Sequence, residues 1–290
     1  MARVCVVGSI NNDLTFRVDS LPGPGVTVLA SGLVTAPGGK GANQAIAAAR
    51  AGADVQFAGA VGDDPIAGRL LNHLQHNGVG TDAVVAVAAP SGTAIVIVDS
   101  AAENSIVVAP GANAYLTIGP HAQRHLAEAD VVLVQLEIPP PTVFFAAMRA
   151  RQAGATVILN ASPIPKDPST LAELADAVDV VVVNEAEAEH WQWSVPHLVT
   201  TRGARGASYV GTEGSFDISA PAVDAVDTAG AGDVFAGVLA AGWHSGPHRA
   251  IRRACAAAAL ATLVQGAGDC APTRDAIAGA ESNATVTKCE

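Results

Sequence analysis

Apolar positions along this chain are grouped, with short β-rich runs taking turns with alanine-rich stretches. Residues 4–9, 55–60, 131–136, 156–160, 180–183 and 198–201 read as strands. Several of these are continuous Val, Ile and Leu, the pattern of strands covered on both faces of a parallel sheet. Residues 41–51, 65–77, 142–153 and 169–175 read as the helices between them. Such alternation predicts one α/β domain over 1–290, in three layers, with a central, mostly parallel sheet flanked by helices.

Two insertions break the pattern, about 12–34 and 92–108. Each carries an alternating segment: Leu14-Thr15-Phe16-Arg17-Val18 and Ala94-Ile95-Val96-Ile97-Val98. Neither has enough partners for a core of its own. Together they are expected to form a small antiparallel sheet over the end of the main one, where a lid would sit. Its apolar positions, Leu14, Phe16 and Val18, invite a partner, and a two-fold clasp of two such sheets would make a homodimer; a monomer stays open. After Gly211 a polar, hairpin-like segment runs to Ala220, and residues 232–244 and 248–264 follow as two long helices. From Asn283 onward there is no periodicity, and a frayed tail is expected.

Composition narrows the function classes. Sixteen basic residues against 27 acidic ones give a net charge of −11, which disfavours nucleic acid as a partner. No apolar run reaches the roughly 18–20 residues of a membrane span. The chain enters a strand at once, without the features of a signal peptide, so a cytoplasmic location is expected. Cys5, Cys255, Cys270 and Cys289 show no metal-ligand spacing and read as reduced thiols.

There is no P-loop fingerprint and no Gly-x-Gly-x-x-Gly after the first strand, where Gly8 is followed by Ser9-Ile10-Asn11-Asn12-Asp13. These absences count against a P-loop enzyme and a nicotinamide dehydrogenase. The strongest local signal is Asp227-Thr228-Ala229-Gly230-Ala231-Gly232-Asp233-Val234-Phe235-Ala236-Gly237. Glycines opening an apolar helix leave its first amides free to bind an anion. Asp233 in the same turn either supports the helix start or accepts the proton of an attacking hydroxyl while the amides hold a phosphoryl group. Spacing alone fits both.

This stretch resembles the C-terminal signature of the ribokinase (PfkB-type) family of sugar and nucleoside kinases. A second signature, Pro37-Gly38-Gly39-Lys40-Gly41-Ala42-Asn43-Gln44-Ala45, lies early in the chain. Further matches follow in order: Gly62-Asp63-Asp64, Gln135-Leu136-Glu137, Asn184-Glu185-Ala186-Glu187 and Thr201-Arg202-Gly203-Ala204-Arg205-Gly206. The resemblance runs nearly end to end and implies phosphoryl transfer from MgATP to D-ribose at its 5-hydroxyl. It makes Asp233 the base and the backbone of Gly230, Ala231 and Gly232 the anion hole. It gives the sugar to Asn11, Asp13, Gly38, Gly39, Lys40, Asn43 and Glu137. Side-chain carboxylates and amides suit a polyol, and the glycines at 38, 39 and 41 are expected to let backbone approach the ring.

For the nucleotide the resemblance implies Asn184, Thr201, Arg202, Gly203, Ala204, Arg205, Gly206, Gly232 and Cys255. Glu187 would meet Mg2+ through water, although Asn184 also suits a helix cap. Asp227, Ala229, Ala261, Val264, Gly266 and Cys270 would hold K+ through backbone oxygens. Three departures from the family stand out: a connection of only 14 residues between Val183 and Leu198, Arg202 at a position usually apolar, and Cys255 beside adenine. Trp191 and Trp193 are expected to plug the face that the short connection leaves bare. The alternatives are 2-deoxyribose, fructose, adenosine or another nucleoside as acceptor, or a catalytically silent sugar-binding protein.

Overall fold

Strands apolar on both faces must be covered on both faces, and the chain does this with helices. The computed structural model describes residues 1–101, 103–165, 167, 169–281 and 286–288. Its first strands are β1 (Arg3–Val7), β2 (Asn11–Arg17), β3 (Gly32–Gly38), β4 (Asp54–Ala58), β5 (Ala60–Gly62), β6 (Val79–Gly80), β7 (Val85–Val87), β8 (Gly92–Val98) and β9 (Asn104–Ala109). Then come β10 (Val131–Gln135), β11 (Thr156–Asn160), β12 (Val180–Asn184), β13 (His197–Thr201), β14 (Ala207–Gly211), β15 (Gly214–Ile218) and β16 (Val286–Lys288). The helices are α1 (Lys40–Arg50), α2 (Pro65–His76), α3 (Pro120–Glu128), α4 (Pro140–Gln152), α5 (Ser169–Ala177), α6 (Glu185–Ala188), α7 (Ala231–Gly242), α8 (Pro247–Ala261) and α9 (Arg274–Ala280).

The main sheet runs β16-β15-β14-β13-β12-β11-β10-β1-β4-β6. It is parallel from β13 to β6 and antiparallel beyond β13. Alternation along β1 divides the core in two: Val4 and Val6 pack with α1, α7 and α8, while Cys5 and Val7 pack with α3, α4 and α5. Helices α1 and α7 lie close because their contact is small. A Cβ at Gly237 would stand 2.3 Å from the Gln44 carbonyl oxygen. That approach holds the start of α1 against the start of α7.

The small sheet has the order β3-β2-β8-β9. It is mixed, which corrects the all-antiparallel expectation: β2 and β8 pair in parallel, and β3 and β9 flank them antiparallel. Both inner strands leave the body of the molecule in the same direction, Asn11 level with Gly92, and each outer strand follows its inner neighbour in sequence. The apolar positions also differ from expectation. Val18 is buried and Leu14 and Phe16 are half-buried, whereas Leu33, Val34, Ile106, Val107 and Val108 are exposed.

The frayed tail is corrected at 286–288, which add a strand beside β15; residues 283–285 and 289–290, Cys289 included, lie outside the described residues. The short β12–β13 crossover is one helical turn, α6, followed by Trp191 and Trp193 packed edge-on with centroids 5.6 Å apart. Trp191 is buried, and its Nε1 donates to the Trp193 carbonyl at 2.9 Å. Among the described residues, no helix is long and apolar enough to cross a membrane.

Candidate active site

The chain goes outward from β1 through β4 to β6, then returns to β10 on the other side of β1 and continues to β13. Ligands of open parallel sheets sit where the strand order reverses, at the carboxyl ends of the strands. Between β1 and β10 that position is rich in polar groups. After β1, Ser9 Oγ donates to Glu137 Oε2 at 2.6 Å, and the Lys40 amide reaches the same oxygen at 3.3 Å. Asn11 Oδ1 accepts from Asn113 Nδ2 at 2.8 Å, and Asn113 Oδ1 accepts the Ile10 amide at 3.0 Å. Asn11 and Asp13 fall on one face of β2, two residues apart.

Asp13 lies over Gly38, where a Cβ would come within 2.0 Å of Oδ2. Its Oδ1 is buried without a partner. Burial, then the charges of Glu137 and Asp233, push this carboxyl up to about 7. The room left by Gly39 and Gly41 is likewise filled by protein: a Cβ there would meet the Asn11 nitrogen at 2.8 Å and the Gly8 carbonyl carbon at 2.7 Å. These three glycines admit the chain's own backbone and Asp13, so a side chain at any of them would collide with neighbouring protein.

Asp233 is the third residue of α7, whose N-cap, Gly230, has φ +78°. In that left-handed region a side chain is strained, and a Cβ would also strike Ala267 at 2.8 Å. Gly232 faces open space. The Ala231 amide bonds the Thr228 carbonyl at 3.3 Å, while the amides of Gly232 and Asp233 have no acceptor among the described residues. Two side-chain amides of α1 hold the Asp233 carboxylate: Asn43 Nδ2 on Oδ2 at 3.1 Å and Gln44 Nε2 on Oδ1 at 3.0 Å. Gln44 Nε2 also donates to Asn160 Oδ1 at 3.0 Å, at the end of β11. A buried carboxylate is thus fixed beside free amides. Lys40 stands between the two groups of acids. Burial works to lower its ammonium, but Asp233, Glu137 and Glu187 prevail and hold it above its ordinary value.

Further along the same edge, Asn184 and Glu187 form a capping box: Asn184 Oδ1 accepts the Glu187 amide at 2.8 Å and Glu187 Oε2 accepts the Asn184 amide at 2.8 Å. Thr201 ends β13, and the turn after it closes with the Arg202 amide on the Gly206 carbonyl at 2.7 Å. Arg202 is turned towards Asp217, with Nη1 on its carboxylate at 3.0 Å, and its buried Nε has no partner. Arg205 pairs with Glu185 on the surface. Cys255 is buried near the Ile218 carbonyl, and burial pushes its thiol up to about 12. Asp227 ties two loops together: Oδ1 accepts the Ala229 amide and Oδ2 the Gly266 amide, both at 2.9 Å. Cys270 Sγ lies 3.8 Å from the Ala229 carbonyl, and the Ala261 carbonyl accepts the Val264 amide at 3.2 Å.

Residues 1–274 match the pfkB family of carbohydrate kinases. The chain belongs to that family. It is 37% identical over 294 residues to the ribokinase of Bacillus subtilis, covering 96% of this chain and 98% of the relative. Its fold superposes on the ribokinase of Thermotoga maritima with a TM-score of 0.88 at 28% identity, covering 98% of this chain and 100% of the other. Against the Arabidopsis thaliana ribokinase complexed with ribose and ATP the TM-score is 0.87 at 29% identity, with 97% and 98% covered.

In this carbohydrate kinase the residues expected to hold the sugar gather around Asp233, with Asn43 on its carboxylate and Asp13 and Lys40 within reach of its charge. Sequence reasoning missed Ser9, Gln44, Asn113 and Asn160. Gln44 and Ser9 stand inside motifs already singled out, and that adjacency was the available signal. Asn113 and Asn160 had none, since only the fold brings them to Ile10 and Gln44.

Proposed function

We propose that this carbohydrate kinase transfers the γ-phosphoryl group of ATP to the 5-hydroxyl of D-ribose, giving ribose 5-phosphate and ADP. The observation that carries the reading is the Asp233 carboxylate, held by Asn43 and Gln44 beside the unpaired amides of Gly232 and its own residue. Asp233 takes the proton of the attacking hydroxyl, and the α7 start stabilises charge on the transferring group. The unpartnered Oδ1 of Asp13, with Asn11, Asn43 and Glu137, suits the adjacent hydroxyls of a bare sugar. Phe16 is the one aromatic residue within 12–34 and 92–108, too few for a stack on a nucleoside base. The ribose- and ATP-bound relative supports the same pair of substrates.

Lys40, flanked by Asp233, Glu137 and Glu187, is a cation between sugar and phosphates. Glu187 keeps its second carboxylate oxygen outside the capping box, which suits contact with Mg2+ through water. Bound Mg2+ would neutralise charge on the phosphate oxygens. The two loops tied by Asp227 carry the carbonyls assigned to K+, which would stiffen the anion hole without touching substrate. The chain reads as one domain with lid insertions, working in the cytoplasm as a homodimer.

Asp233→Asn keeps the shape and removes the proton acceptor. It is expected to lower kcat by at least about two orders of magnitude, with ribose and ATP still bound in calorimetric titrations. Near-normal kcat would overturn the mechanism. Turnover of adenosine equal to that of ribose would move the substrate to a nucleoside.

A further inference from the structure

At the end of the molecule away from the strand carboxyl termini, the last residues of α1 and α7 meet α8 and α9 around a cavity of about 380 Å3. Arg249 and Arg253 of α8 and Arg274 of α9 line it, with His244 and Ser245 beside them. Glu281 is the one acid in that lining among the described residues. Arg249 also borders a second hollow of about 300 Å3 with Arg252. Four of the chain's 16 basic residues therefore gather here, in a protein of net charge −11.

Several arginines elsewhere have carboxylate partners, as Arg3 with Asp130, Arg124 with Asp82 and Arg202 with Asp217. Here the arrangement differs. Arg253 donates to the Ala51 carbonyl at 2.6 Å, which caps the end of α1 and accounts for its place. The guanidinium groups of Arg249 and Arg274, both exposed residues, form no side-chain hydrogen bond or salt bridge with any described residue. Burial lowers the Arg253 guanidinium, Glu281 works the other way, and Arg274 and Arg249 lower it further. One carboxylate, Glu281, stands among these arginines, so the positive charges outnumber it and repel; an anion between them converts that repulsion into charge-assisted, forked hydrogen bonds.

We propose that this cavity is a binding site for a phosphomonoester, a small organic phosphate whose dianion is held by Arg249 and Arg274. Two guanidinium groups lining one cavity offer more donors than a lone carboxylate uses, and the volume accommodates an organic portion as well. Helices α1 and α7 begin at Lys40 and Ala231 in the candidate active site and end at this cavity. At about 1.5 Å per residue they span roughly 16–18 Å, so occupancy would bear on the elements that carry Asn43, Gln44 and Asp233.

Isothermal titration of the intact protein with glycerol 3-phosphate, in low-salt buffer, tests this without any assay of turnover. One molecule per chain is expected to bind the wild type. The double variant Arg249→Gln/Arg274→Gln should lose at least about tenfold in affinity, with its unliganded Tm unchanged. Should the pair disturb folding, R249Q and R274Q singly are expected to lose about threefold each. Inorganic phosphate should bind more weakly, since it fills only part of the space, and equal affinity would overturn the phosphomonoester assignment. Absence of binding at millimolar concentrations, or binding undiminished in the variants, would remove the site.

Discussion

Asp13 carries two burdens at once, the sugar contact proposed for it and a place in the fold where its charge is unwelcome. Its carboxyl, raised from 3.8 to about 7 by burial and then by Glu137 and Asp233, holds a proton more tightly folded than unfolded. Wherever the folded state binds more protons, stability falls as pH rises. The fall should run from about pH 4 to about pH 7 and be complete above it. Asp13→Asn has no such loss, so its stability should exceed the wild type's by a margin that opens across that window and closes again near pH 4. Urea midpoints at pH 4, 5.5, 7 and 8 check this, and a margin independent of pH would count against a buried carboxyl. The Asn-x-Asp pattern itself stood out in the sequence through family resemblance. The strain behind it did not, because Gly38 and Glu137 approach Asp13 from distant parts of the chain.

Elements rich in Val or Ala announced themselves, and those made of polar residues did not. The six strands and six helices expected from apolar runs all form, within about two residues of their bounds except at the end of α8. Helix α3 went unseen because it buries only Ala122 and Leu126, four residues apart. Strands β5 to β7 are three residues or fewer, too short for any period. The β12–β13 crossover was legible as short, and its tryptophans as the cover. Truncating Trp191 should therefore leave a hole over the second core: Trp191→Ala is expected to destabilise by about 3–5 kcal/mol in denaturant titration. A loss below about 1 kcal/mol would mean that the crossover packs without it. The loops joined by Asp227 lead to a separate expectation. With K+ replaced by Na+ at constant ionic strength, activity should fall, and an unchanged rate would remove the cation from the account.

For the molecule as a whole, the small sheet offers its widest apolar exposure on its outer strands, at Leu33, Val34, Ile106, Val107 and Val108. Exposed apolar side chains on both outer strands favour association, and light scattering at micromolar concentration should return twice the 29.0 kDa of one chain. A single 29.0 kDa species would leave the sheet unpartnered. The mixed pairing of that sheet also has a mechanical reading. Asn11, Gly38 and Gly92 share one row of its register, and the strands rise from that row like pages from a spine. At about 3.3 Å per residue, Arg17 stands roughly 20 Å from the spine and Asp13 roughly 7 Å, so a swing of about 10° carries them about 3.5 Å and about 1 Å. The free edge thus travels far while the groups that face the sugar scarcely stir: the leverage lies at the rim, and the reading head stays at the fulcrum.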